Sequence, residues 1–111
     1  MWFQKRIAGV TFDNRQAVIA TLNPWEELQL VRDYDNPYDA NAIRVERVST
    51  GEQLGFLDRA TAANLARRLD DLGGAWSAQI VRICHNGTED SILGVEIGFD
   101  LPERAVEVVG A

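Results

Sequence analysis

The 111-residue chain has little of several things: one cysteine, one histidine, three prolines and no long apolar run. A single cysteine, Cys84, excludes an internal disulfide, and His85 beside it cannot complete a zinc cage, because adjacent residues rarely point at one ion. The longest apolar stretches are a few residues, far short of the roughly 18 that a membrane span requires. The opening MWFQKRIAGV places its charges after its apolar residues, unlike a secretory leader. A cytoplasmic protein without membrane association is therefore expected. Basic residues are scarce too: 11 Lys plus Arg stand against 17 Asp plus Glu, for a net charge of -6 and a pI near 4.6. That balance counts against a binder that holds nucleic acid by charge alone, whose domain pI usually exceeds about 9.

What is present is ordinary globular composition, 46% apolar and 25% charged. This length closes one core, and with no linker, repeat or low-complexity tract, residues 1–111 read as a single domain. Residues 3–11 read as a first strand, with Gly9 a point where another backbone or a ligand comes close. Asp13 or Asn14 then caps a short helix over residues 15–22, whose Val18, Ile19 and Leu22 form one apolar stripe and which Pro24 ends. Residues 28–32 and 41–48 alternate as strands, and Ser49-Thr50-Gly51-Glu52 turns the second into residues 53–57. Asp58 is a good N-cap for a helix to about Leu72, with Ala62, Leu65, Ala66, Leu69 and Leu72 on one face, stopped by Gly73-Gly74. Residues 76–84 and 92–99 are the last strands, joined through Asn86-Gly87, a dipeptide suited to a tight hairpin. The expected fold is mostly β with two helices: a small, mostly antiparallel sheet curled into an OB-like, partly open barrel and plugged by a helix. Trp76 opens a strand and Trp25 follows the helix-ending proline, both common core positions, while Trp2 near the terminus is open to disorder.

The most unusual stretch is residues 32–42, RDYDNPYDANA, which gathers two tyrosines, three aspartates and two asparagines around one proline. Asn36-Pro37 sets a turn, and Asp and Asn side chains satisfy local backbone donors, so a plain loop explains part of it. The paired aromatics ask for more, since Tyr34 and Tyr38 on a polar loop are natural platforms for a stacked base. No other chemistry competes well. Asp33, Asp35 and Asp39 imitate the start of a calcium loop, but Tyr38 stands where glycine is needed and Arg44 where the bidentate glutamate belongs. There is no phosphate-cradling glycine loop and no plausible Ser, His and Asp set, so neither catalysis, a metal nor a cofactor is expected. Asn86-Gly87-Thr88 fits a glycosylation sequon and reads most simply as a turn.

DNPYDANAI, followed after the next turn by GEQLGFLDRATAANLARRL, resembles the signature of the HIRAN domain family. The likeness extends from about Ile7 through Leu72, and more weakly through the closing hairpin. It implies an OB-like fold that, in the helicase-like remodelling ATPases carrying it, captures the 3′ end of single-stranded DNA and helps reverse stalled replication forks. By the same resemblance, Tyr38 stacks on the terminal base and Asp39 accepts a hydrogen bond from the free 3′ hydroxyl. Asn36 shapes the loop and contacts the nucleotide, Phe12 forms the opposite wall of a base sandwich, and Arg59 meets the backbone of the strand. The chemistry is coherent, because a carboxylate is repelled by a phosphodiester yet gains a charge-assisted hydrogen bond from a terminal hydroxyl. A cation in the first turn of a helix also opposes the helix dipole, so Arg59 is easier to understand if an anion visits.

Two departures stand out. Thr11 occupies a position that is often arginine in the DNA-binding members, a loss for which Arg15 would compensate from the short helix, and no aromatic lies between His85 and Leu93. Structural explanations stay open for each site residue: Asp39 as an Asx-type cap, Tyr38 tucked into the barrel mouth, Phe12 simply buried, Arg15 and Arg59 solvated. The expected partner is a single-stranded DNA 3′ end in a repair or replication setting, with a helicase or nuclease as candidate protein partner. The alternative is an acidic adaptor of the same fold that binds a protein or small ligand without DNA, which the charge of -6 favours.

Overall fold

The computed structural model describes residues 1–85 and 92–102. Its elements are strands β1 (Trp2–Arg6), β2 (Glu27–Arg32), β3 (Ile43–Arg47), β4 (Gln53–Phe56), β5 (Ala75–Cys84) and β6 (Gly94–Asp100), with helices α1 (Arg15–Ile19) and α2 (Arg59–Asp71). The strands form one sheet in the order β1-β6-β5-β2-β3-β4, and every pairing is antiparallel. Alternation puts Leu28, Leu30, Ile43, Val45, Ile80, Val95, Ile97 and Phe99 on the inner face, where all are fully buried. Ala62, Leu65 and Leu69 of α2 join the same core, as the helical spacing of these residues requires.

The two edges of the sheet meet. Ile7 still donates to Val95 beyond the end of β1, but Ala8 changes partner and exchanges hydrogen bonds with Phe56 of β4, 2.7 and 2.9 Å, so the sheet curls into an OB-like, partly open barrel. The residue beside this bridge, Gly55, is buried, and a Cβ there would run into the Ala8 carbonyl. The strand expected over residues 3–11 therefore stops at Arg6, because the chain leaves β6 to close the barrel and then turns at Gly9, whose φ is 70°.

The expected helix over 15–22 is shorter, Arg15–Ile19, and Leu22 is held by a turn from Ile19 rather than by a further helical bond. Asn14 stands at its N-cap in the left-handed region and makes no side-chain cap bond, unlike the capping expected there. The longer helix matches its expectation closely: Asp58 caps it by accepting from the Thr61 N–H at 3.1 Å. Gly73 and Gly74, with φ of 93° and 84°, end it, Gly74 N–H returning to the Leu69 carbonyl. The strand expected over 41–48 is confined to Ile43–Arg47, since Ala42 N–H is taken by a turn from Asp39 and Val48 is exposed. Asn86-Gly87 and its sequon lie outside the described residues. Among the described residues, no helix is long and apolar enough to cross a membrane.

Candidate nucleic-acid interface

The loop between β2 and β3 is built from its own polar side chains. Asn36 Oδ1 accepts from both Tyr38 N–H and Asp39 N–H at 2.9 and 3.0 Å, while its amide donates to Asp33 Oδ2. Arg44 of β3 fixes the far side of Asp33 through a 3.1 Å ion pair. Beneath the loop lies Arg32, the last residue of β2, whose guanidinium donates to the carbonyls of Ala40 and Ala42 and to Asp70 of α2. Arg32 is buried, a placement tolerated because each of its three guanidinium nitrogens donates a hydrogen bond, one of them to a carboxylate. Its role was not legible in the sequence, where it read as the end of an alternating strand.

This frame turns Tyr38 outward. The ring is 85% exposed, so the barrel-mouth burial weighed for it does not occur. Asp39 beside it does form the expected Asx turn, its Oδ1 accepting from Asn41 N–H at 2.9 Å. Its other oxygen, Oδ2, lies 3.7 Å from Arg59 Nε, a distance at which charges attract but no hydrogen bond forms. Arg59, the first residue of α2, also donates to the Tyr38 carbonyl and leaves much of its guanidinium in solvent. Asn36, Tyr38, Asp39 and Arg59 together line a groove of about 280 Å³ whose floor is Ala42, Phe56 and Leu57. At the start of α2 the Asp58 carboxylate takes the Thr61 N–H and accepts from the Thr61 hydroxyl at 2.5 Å, which places a negative charge where an anion would otherwise approach.

Phe12 is 65% exposed, so simple burial does not account for it. It borders Gly9 together with Phe56: a Cβ on Gly9 would sit 3.6 Å from Phe56 and 3.8 Å from Phe12. Phe56, which the sequence reading passed over as the aromatic of GEQLGF, thus bridges the loop groove and the Phe12 side of the barrel closure. Two expected site residues are placed elsewhere. Arg15 is 7% exposed, its guanidinium donating to the Gly9 carbonyl at 2.6 Å and lying 5.4 Å from the Phe56 ring centre, so neither the solvated nor the phosphate-contacting arrangement fits it. Tyr34 points to the α2 end, stacked on Arg32 and donating its hydroxyl to Asp70 Oδ1 at 2.5 Å.

The charges respond to these contacts. The Tyr34 hydroxyl and the Arg32 guanidinium hold the Asp70 carboxyl below the usual carboxylate range, and the same bond raises the Tyr34 hydroxyl above the usual tyrosine value. Asp58 is lowered chiefly by its hydrogen bond from the Thr61 hydroxyl.

A curled antiparallel sheet closed by one bridge, carrying an exposed aromatic and a half-free carboxylate on a loop beside the closure, defines an OB-like binding module. The family model for the HIRAN domain matches residues 3–100, and the chain belongs to that family, a nucleic-acid-binding domain. The crystal structure of the HIRAN domain of human HLTF is similar, with 26% identity and a TM-score of 0.61, the match covering 88% of this chain and 74% of that one. Comparison with curated proteins gives no match.

Proposed function

We propose that the chain is a non-catalytic, cytoplasmic module that captures the 3′ end of single-stranded DNA in the groove beside the 36–42 loop. The observation that carries this reading is the pairing of an exposed Tyr38 ring with an Asp39 oxygen that no main-chain amide among the described residues occupies. A terminal base stacks on Tyr38, with Phe56 in the floor of the groove and Phe12 beyond it, beside Gly9. The 3′ hydroxyl donates to Asp39 Oδ2, a contact that a continuing phosphodiester or a 3′ phosphate turns into repulsion. Arg59, tethered to the loop, meets the neighbouring phosphate. Because Arg15 is committed internally and Thr11 supplies no charge, stacking provides most of the affinity, about 1–3 kcal/mol per base, and binding is weak. In a repair or replication setting, the end would be presented by a helicase or nuclease that exposes 3′ termini.

The test is fluorescence anisotropy with matched oligonucleotides ending in a 3′ hydroxyl or a 3′ phosphate. Wild type is expected to prefer the free hydroxyl, Asp39→Ala to bind both ends alike, and Tyr38→Ala to weaken both by about tenfold or more. Equal binding of the two ends by the wild type would overturn end capture. Binding of neither, even at low salt, would leave the acidic adaptor as the better reading.

A further inference from the structure

All three tryptophans of the chain line one groove of about 500 Å³, formed by β1, β2, β5 and β6, which shares no residue with the loop groove. Trp25 is not in the core, as its position after Pro24 had led one to expect, but 62% exposed. Its φ of 63° puts a bulky residue in the left-handed region, and its N–H is fastened to the Ile80 carbonyl at 2.9 Å. Trp2 is an ordered part of β1, opposite Asp100 and lying over Gly98, where a Cβ would overlap the ring. Half-buried Trp76 is pinned by its indole N–H, which donates to the Asp100 carbonyl at 2.7 Å.

The polar members of the lining are Glu27, Ser77, Gln79 and Asp100, and no lysine or arginine is among them. Asp100 accepts from the amino group of Met1 at 2.8 Å. Glu27 forms no ion pair among the described residues and is the open carboxylate of the groove.

We infer that this groove binds a cationic side chain, arginine or lysine, from a basic peptide segment of a partner protein. The faces of indoles attract a guanidinium or ammonium through the ring quadrupole, and Glu27 supplies the opposing charge. A net charge of -6 draws such a partner at long range. A nucleic-acid strand also stacks on indoles, but here its phosphates would face the unpaired Glu27 carboxylate with no lysine or arginine in the lining to receive them. An apolar segment would strip water from Glu27 without replacing its hydrogen bonds. The inference stands apart from 3′-end capture, since the two grooves have no residue in common.

The three indole N–H signals in a 1H-15N spectrum of the full chain report on this groove alone. An arginine-rich octapeptide is expected to shift them, and its citrulline counterpart, which has the same shape but no charge, to bind at least tenfold more weakly. Trp25→Ala and Glu27→Gln are each expected to weaken the arginine peptide at least fivefold while leaving oligonucleotide binding at the loop groove unchanged. Trp25 is exposed, so its truncation spares the core, and Glu27→Gln keeps the shape altogether. Equal binding of the citrulline peptide, or no shift at millimolar peptide, would overturn the inference. So would oligothymidylate shifting the same signals in a Tyr38→Ala background, or shifts that track protein concentration alone, which would assign the groove to a strand or to a second copy of the chain.

Discussion

Arginines show at the level of single residues how far side-chain type constrains role. Arg15, Arg32 and Arg59 are alike in sequence, yet Arg15 props up the barrel closure, Arg32 carries the loop from beneath and Arg59 alone keeps an open face toward the groove. The turn-forming roles of Asn36 and Asp39 were identifiable beforehand because their chemistry is local: an Asx turn follows from neighbours in the chain, whereas the outward Tyr38 ring was one of two open alternatives. Phe56 and Arg32 were not, because their partners lie across the fold, at Gly9 and Asp70 respectively. Arg32→Met is expected to cost about 2–3 kcal/mol, since it orphans the Ala40 carbonyl, leaves the Ala42 carbonyl with the Asp33 N–H and takes the guanidinium from Asp70, and to weaken oligonucleotide binding by loosening the loop. Urea denaturation alongside anisotropy checks both effects; wild-type stability in the variant would show that the loop holds itself.

Among the elements, the bridge between Ala8, just past β1, and Phe56 of β4 matters most to the site, because it sets Gly9 and Phe12 against Phe56, which lines the groove beside the β2–β3 loop. Alternating apolar residues announced each strand but not which edges would join, since any edge offers the same row of amides. The glycine that permits the junction, Gly55, reads in sequence only as one residue of the short strand expected over 53–57. Gly55→Ala is expected to destabilise the protein by about 1–3 kcal/mol, as overpacking against backbone does, and to reduce binding at the loop groove. Thermal melting with an oligonucleotide titration measures this. A variant of wild-type stability would mean that the Ala8 contact yields without cost. α2 was legible almost to the residue because cap, periodicity and glycine stop are all encoded within the helix and its ends.

Across the whole molecule, four carboxyls held by hydrogen bonds shift in the same direction. Glu26 is lowered by its hydrogen bonds from Arg47, Asp58 by Thr61, Asp70 by Tyr34 and Arg32, and Glu96 by Gln4 and Arg82. A carboxyl whose folded value is depressed stabilises the fold above its unfolded value, about 4, and loses that contribution as pH falls through the folded value. Tyr34 is raised, so its contribution is present below about pH 10 and disappears as the hydroxyl ionises above that. Stability is therefore expected to be level between about pH 5 and 9 and to decline below about pH 4 and above about pH 10. Urea midpoints across that range test it; a maximum near the pI of 4.6 would contradict the assignment.

Composition, strand alternation and the α2 signals were enough to establish a small, mostly β domain with two helices, and the NPYD stretch marked its loop as the place of interest. These features depend on neighbours along the chain, where residue type and spacing act directly. Only the tertiary structure decided that the sheet edges close at Ala8 and Phe56, that Arg15 turns inward, and that Trp2, Trp25 and Trp76 share a groove. Each of those outcomes depends on residues far apart in the chain meeting in space, and the order in which strands pair is set by how the whole core fills rather than by any one segment.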